Sequence, residues 1–294
     1  MKKNHTFEIR LTFPPDRSGA ENLLAVILER LRLKKENLVF YKDKYKSQIL
    51  YYTSSKTRAK GVQKRLANLR LKMVRVQLKH LTSGDWQDVW KKDFKPFFLT
   101  PSIEIIPDWL KKKHRPRKKR AIYLDTSLAF GTGLHETTRF MAMLIEGCEG
   151  RFKRFLDVGT GTGILSLTAL HSGAKEITAV DIEPDAVETA KKNFQRNERD
   201  IHLYTWKCGN IFKMKLSHTY DFVAANLVTQ DLMDEARKLV ALVKKEGYLA
   251  VSGVSRERVK ELKKKFNVFP LQCVKQIIGR DWAALLYCQR RRNI

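Results

Sequence analysis

A strand that runs straight into closely spaced glycines constrains a chain more than any other local pattern, and residues 155–164 form such a place. Phe155-Leu156-Asp157-Val158 reads as strand, Gly159-Thr160-Gly161-Thr162-Gly163 as loop, and Ile164 onward as the start of a helix. Glycine lets a backbone turn sharply and lie against a ligand. The spacing G-x-G-x-G departs from the G-x-G-x-x-G of dinucleotide binding, and no Lys-Ser/Thr follows, as a phosphate-cradling P-loop requires. Asp181 ends the next apolar run, 22 residues after Gly159, where a carboxylate can accept hydrogen bonds from both hydroxyls of a ribose.

Around this loop, strands alternate with helices. Phe155–Val158, Ile177–Ile182, Ile201–Thr205, Phe222–Asn226 and Tyr248–Ser252 read as strands, with helices at Ile164–His171 and Asp185–Arg196. Such alternation predicts a parallel sheet covered on both faces, with ligands at the carboxyl ends of the strands. The last strands, near Val274–Ile278 and Ala283–Tyr287, flank the short turn Gly279–Trp282 and must pair antiparallel. Earlier in the chain, Phe7, Ile9, Leu11 and Phe13 alternate, and Leu24, Ile27, Leu28 and Leu31 recur at helical spacing. Strands near Leu38–Tyr41 and Ser47–Thr53, a helix carrying Val62, Leu66 and Leu69, and a strand carrying Val74, Val76 and Leu78 follow. The order β-α-β-β-α-β predicts a small ferredoxin-like unit. The expected division is therefore 1–80, a linker over 81–120, and an α/β domain over 121–294. The linker holds Trp86, Trp90 and Phe94 on one helical face, a stripe suited to packing.

Charge separates the same regions. The chain of 294 residues holds 58 Lys or Arg and 31 Asp or Glu, net +27. Residues 1–120 hold 31 basic and 11 acidic side chains (net +20), and the remainder 27 and 20 (net +7). Between Lys111 and Arg120, eight of ten residues are Lys or Arg. Contact with a polyanion, RNA first, is one reading, and a solvated tract serving solubility is the other. The four cysteines lack C-x-x-C spacing, which argues against a zinc site or disulfide framework. No run reaches the roughly 18 apolar residues of a membrane helix, and the alternating N-terminus is not a secretory signal. A cytoplasmic setting without membrane contact is the expectation.

The pattern D-x-G-x-G-x-G with an acidic strand end resembles the class I S-adenosylmethionine-dependent methyltransferases, which implies that cofactor and S-adenosylhomocysteine as product. Upstream lies Leu128-Ala129-Phe130-Gly131-Thr132-Gly133-Leu134-His135-Glu136-Thr137-Thr138-Arg139, a glycine-rich turn leading into a helix. The hydroxyls of Thr137 and Thr138 are placed to bond backbone or the methionine end of the cofactor. For His135, a structural histidine and a general base both stand.

This run resembles the PrmA family, the ribosomal protein L-eleven methyltransferases, whose hallmark is A-F-G-T-G-x-H-x-T-T. Trp86-x-x-x-Trp90 with Phe94-Lys95-Pro96, Val223-Ala224-Ala225-Asn226-Leu227 and Gly247–Gly253 are similar to further family segments. Departures are Thr160 and Thr162 in the glycine loop, a tail Asp281-Trp282-Ala283-Ala284, and the strongly basic tract.

The resemblance implies a Rossmann-like methyltransferase domain and an N-terminal domain that recognises the substrate. It implies cofactor binding by Thr137, Thr138, Asp157, Gly159, Gly161, Gly163, Asp181 and Asn226. For catalysis, Asn226 is expected to orient the amine and His135 is the candidate base, and no metal is expected because a sulfonium is already a strong electrophile. The implied activity is methylation of lysine ε-amines, or the α-amine, of a ribosomal protein, large-subunit protein L-eleven first. Asn226-Leu227-Val228-Thr229 lacks the stacking aromatic of N-P-P-Y motifs, so a planar nitrogen is disfavoured. Two alternatives remain: an rRNA methyltransferase, and a non-catalytic RNA-binding ribosome-assembly factor.

Overall fold

The computed structural model describes residues 6–13, 38–42, 47–53, 55–68, 75–81, 95–118, 120–125, 133–198, 204–214 and 218–290. The expected helix at Leu24–Leu31, the Trp86–Phe94 stripe, and Ala129–Thr132 lie outside them. The chain divides into two compact units, Met1–Phe94 and Lys95–Ile294.

In the first unit, β1 (Thr6–Phe13), β2 (Leu38–Lys42), β3 (Ser47–Thr53) and β4 (Arg75–Leu81) form an antiparallel sheet in the order β2-β3-β1-β4. Period-2 alternation sets the register: Ile9 pairs with Tyr51 and Leu11 with Ile49, all four buried. Helix α1 (Lys56–Asn68) packs on the sheet through Ala59, Val62 and Leu66, spaced three and four apart.

The second unit is built on a seven-stranded sheet of β8 (Arg154–Val158), β9 (Glu176–Asp181), β10 (Tyr204–Cys208), β11 (Tyr220–Asn226), β12 (Val243–Ser255), β13 (Leu271–Ile278) and β14 (Trp282–Gln289), in the order β10-β9-β8-β11-β12-β14-β13. The pairs from β10 to β12 are parallel. Strand β14 runs against both neighbours, as the short turn after β13 demands. Successive side chains serve opposite layers. Phe155, Phe222 and Ala224 join one core with α2 (Glu136–Glu146), α3 (Ile164–His171) and Phe194 of α4 (Pro184–Asn197). Leu156, Val223 and Ala225 join the other, with α5 (Thr229–Asp234), α6 (Ala236–Ala241) and α7 (Val259–Phe266). Strand order reverses between β8 and β11, which places a ligand crevice at their carboxyl ends.

The linker expected over 81–120 differs from what is found. From Lys95 onward the chain belongs to the larger unit, where β5 (Phe97–Phe98), β6 (Ile103–Pro107) and β7 (Arg120–Leu124) form a three-stranded sheet. Leu99, Ile103, Ile105, Ile122 and Leu124 enter the core on the α2 side. A five-residue strand holding a glutamate between prolines, followed by a cationic run, carries little strand signal of its own. Two asparagines finish the edge of β7. Asn193 Oδ1 accepts from the Asp125 amide at 2.8 Å, and Asn197 Oδ1 from the Tyr123 amide at 2.8 Å. Their Nδ2 groups donate to the Asp125 and Tyr123 carbonyls at 3.1 and 2.7 Å. Two side chains one helical turn apart thus stand in for a neighbouring strand.

Candidate active site

The residues singled out in the sequence gather at the carboxyl ends of β8, β9 and β11 and the start of α2. The glycine loop leaves β8 with φ of 75°, 54° and 80° at Gly159, Gly161 and Gly163. The amides of Gly159 and Thr160 donate to the Val180 carbonyl at 2.9 and 3.1 Å. Asp181 holds the middle of the loop: its Oδ2 accepts from the Gly161 amide at 2.9 Å, while Oδ1 accepts from the Glu183 amide at 3.1 Å. At Gly163 a Cβ would lie 3.1 Å from Ala190 Cβ and 3.2 Å from Ala190 Cα, so glycine lets α3 begin directly against α4.

Asp157 is fully buried under this loop. Its Oδ2 accepts from the hydroxyls of Thr160 (2.9 Å) and Ser166 (2.6 Å), whereas Oδ1 is buried and has no partner. Burial pushes the carboxyl up to about 6 against the pull of those hydroxyls, and the charge of Asp181 adds to the rise.

A second set meets it from α2. His135 caps the helix, its Nδ1 accepting from the Thr137 amide at 3.4 Å and lying 2.8 Å from Thr137 Oγ1. Asn226 Nδ2 donates to Thr137 Oγ1 at 3.3 Å. An amide NH2 only donates, so the Thr137 hydroxyl has its own proton left for His135 Nδ1. The chain of bonds therefore runs Asn226 to Thr137 to His135. Burial lowers the His135 pKa, partly opposed by Glu136, and its ring lies 5.3 Å from that of Trp282. The hydroxyl of Thr138 is buried without a partner. A Cβ on Gly159 would sit 2.9 Å from Leu227 Cδ2, so the two sets adjoin.

Three contributors escaped the sequence reading. Ile182 follows Asp181 and is 63% exposed, an apolar surface at the mouth of the site. The Gly209 amide donates to the Asp181 carbonyl at 2.8 Å, which brings Asn210 beside that strand end. Asn193 Nδ2 also donates to the Thr162 carbonyl at 2.9 Å and so ties the glycine loop to β7. The glycine after β10 was a readable signal; the asparagine on a polar helix was not. Among the described residues, no group of three or more His, Cys, Asp or Glu is placed to hold a metal ion. No helix among them is long and apolar enough to cross a membrane.

The sequence profile of the family described as ribosomal protein L11 methyltransferase (PrmA) matches residues 22–290. The chain belongs to this family. Among relatives named ribosomal protein L11 methyltransferase, that of Acetivibrio thermocellus is 35% identical over 203 residues, covering 69% of this chain and 63% of the relative. That of Pelobacter propionicus is 32% identical over 215 residues, covering 71% and 68%. The chain thus spans somewhat less than two thirds of the first relative's length. The crystal structure of ribosomal protein L11 methylase from Lactobacillus delbrueckii subsp. bulgaricus superimposes with a TM-score of 0.60 at 25% identity, covering 67% of this chain and all of that one. The stretch matched by the family profile, residues 22–290, includes the glycine loop and Asn226.

Proposed function

We propose that the chain transfers methyl groups from S-adenosylmethionine to amino nitrogens of ribosomal protein L11, lysine ε-amines foremost and the α-amine with them. The observation that carries this reading is the meeting of two separate polar sets at one switch point: a glycine loop between two acids, and Asn226 fixed through Thr137. The donor set fits the cofactor. Asp181 suits the ribose hydroxyls, and the unpartnered Oδ1 of Asp157 and hydroxyl of Thr138 suit the charged methionine end. When bound, the cofactor supplies an electrophilic methyl on a sulfonium, for which an amine nucleophile needs no Lewis acid.

The protein's own part is placement. A lysine drawn out of water loses its proton more readily. Asn226 directs its NH2 to Thr137, which leaves its oxygen as an acceptor for the amine's hydrogens. Holding the amine in line with the methyl is then the main catalytic contribution. His135 acts as the cap that holds Thr137. With Nδ1 accepting, the neutral ring keeps its proton on Nε2 and has no lone pair left for a base. The small N-terminal unit, read as ferredoxin-like, serves to recognise the protein substrate, and the reaction belongs in the cytoplasm with the ribosome's proteins.

Transfer of labelled methyl from S-adenosylmethionine to purified L11, run beside free rRNA, tests this. Label in the protein's amines supports it; label in rRNA alone, or in neither, overturns it. Asn226→Ala should lower turnover by at least about tenfold, with a smaller loss of cofactor affinity. Full turnover in the folded variant would remove Asn226 from this role.

A further inference from the structure

Methyl transfer makes no use of the basic tract Lys111–Arg120. Its residues 111–118 lie in the crossover that joins the parallel strands β6 and β7. One buried carboxylate organises it. Glu104, on β6 and fully buried, accepts through Oε2 from the Arg117 amide at 2.6 Å and through Oε1 from Arg117 Nε at 3.0 Å. The same Oε1 lies 3.0 Å from His114 Nε2. Burial pulls this carboxyl upward, yet the Arg117 and His114 contacts outweigh it and hold it below the ordinary range. The loop is fastened elsewhere as well. Lys111 Nζ donates to the Arg196 carbonyl at 2.8 Å and lies 4.6 Å over the Tyr123 ring. Arg117 and Lys118 lie 4.8 and 5.2 Å over Phe98.

The surrounding carboxylates are taken. Glu146 and Glu149 pair with Arg120, and Asp108 and Asp125 with Arg196. Lys112, Lys113, Arg115 and Lys118 are exposed, and among the described residues none of them forms an ion pair. A solvated tract would let such charges spread apart. Here a buried anchor, an aromatic ring and a helix carbonyl fasten the loop that carries these four exposed cations.

We propose that the β6–β7 crossover is a preformed clamp for an RNA backbone, with Lys112, Lys113, Arg115 and Lys118 contacting successive phosphates. The excess of 31 basic over 11 acidic residues in the first 120 suits a polymer with a charge on every unit. A membrane surface is a poorer match, since the exposed aromatic here, Phe98, is covered by Arg117 and Lys118 and is not free to insert. The inference stands apart from the methylation reading: RNA binding and methyl transfer are measured separately, and either can fail alone.

The test is fluorescence anisotropy of the full chain with a labelled RNA hairpin of about 20 nucleotides, titrated from about 0.05 to 0.2 M KCl. The variant carrying Lys112→Gln, Lys113→Gln, Arg115→Gln and Lys118→Gln is expected to bind at least about tenfold more weakly at 0.1 M salt. Its slope of log affinity against log salt should fall by about three to four, near 0.9 per lost phosphate contact. Glu104→Gln separates a built clamp from net charge: it makes the protein more positive, yet should weaken binding because the loop loses its anchor. Circular dichroism checks the fold, and should Glu104→Gln not fold, the surface variant decides alone. Coincident curves for parent and surface variant overturn the proposal. So does tighter binding by folded Glu104→Gln. So too does polyglutamate, or vesicles of anionic lipid, binding as tightly as the hairpin with the same dependence on the four cations.

Discussion

A carboxyl group shut away from water keeps its proton longer, and at Asp157 burial raises the pKa to about 6. Between about pH 4 and pH 6 the folded chain retains a proton that the unfolded chain has released. Stability therefore falls as pH rises through that window, and the cost is complete above about pH 6, at about 3 kcal/mol for a two-unit shift. Asp157→Asn preserves an acceptor for Thr160 and Ser166 and removes the charge. Its melting temperature at pH 8 should exceed the parent's by several degrees, with the gap closing below about pH 4; equal melting at pH 8 would show that the ionised carboxylate carries no such penalty. Asp181→Ala loses the ribose acceptor and the Gly161 contact together, and calorimetry should show S-adenosylmethionine binding weakened by at least about 1.5 kcal/mol. These acids and Asn226 were legible because strand ends in a parallel sheet are chemically privileged positions. Glu104 and Asn193 were not. Their partners lie 10 to 13 and 31 to 68 residues away, and neither a glutamate in a short strand nor an asparagine on a polar helix announces a distant partner.

Helix α3 was readable to the residue, since glycines mark its start and a Ser-Gly pair its end. Strand β12 was not: it begins at Val243, five residues before the expected start, because Glu246-Gly247 looks like a turn and Glu246 does adopt φ 63° within the strand. Near its other end, Gly253 (φ 84°) marks a shift of register against β14, and a Cβ there would lie 1.9 Å from the Leu227 carbonyl oxygen. The segment after Asn226 rests on that glycine, with the Leu227 amide donating to Ser252 O at 3.1 Å and Thr229 Oγ1 to Gly253 O at 3.0 Å. Gly163→Ala should cost about 1–3 kcal/mol from its positive φ, with cofactor affinity reduced. Gly253→Ala should cost more, and should also slow methyl transfer by moving the backbone that carries Asn226. Thermal melts beside turnover rates check both; a Gly253→Ala protein as stable and as active as the parent would separate β12 from the site.

The larger unit encloses its own two cores and all the residues assigned to the cofactor. Residues 95–294 expressed alone should therefore fold and bind S-adenosylmethionine within a few-fold of the full chain, while methylation of the protein substrate is lost. Calorimetry and a labelled-methyl assay on this fragment check the two halves of that expectation, and undiminished protein methylation would end the recognition role of the first unit. Alternating texture marks strands and helices in both units, but the boundary at Lys95 was not legible, because β5 and β6 owe their stability to helices that arrive later in the chain. The central seam of the sheet has a consequence in time. Strands β8 and β11 are neighbours, although Phe155 and its partner Phe222 stand 67 positions apart. A ribosome adding about 5–20 residues per second needs about 3–13 seconds to travel between them. Until β11 arrives, the apolar strand β8 keeps one edge unpaired, which makes the nascent chain a client for chaperones.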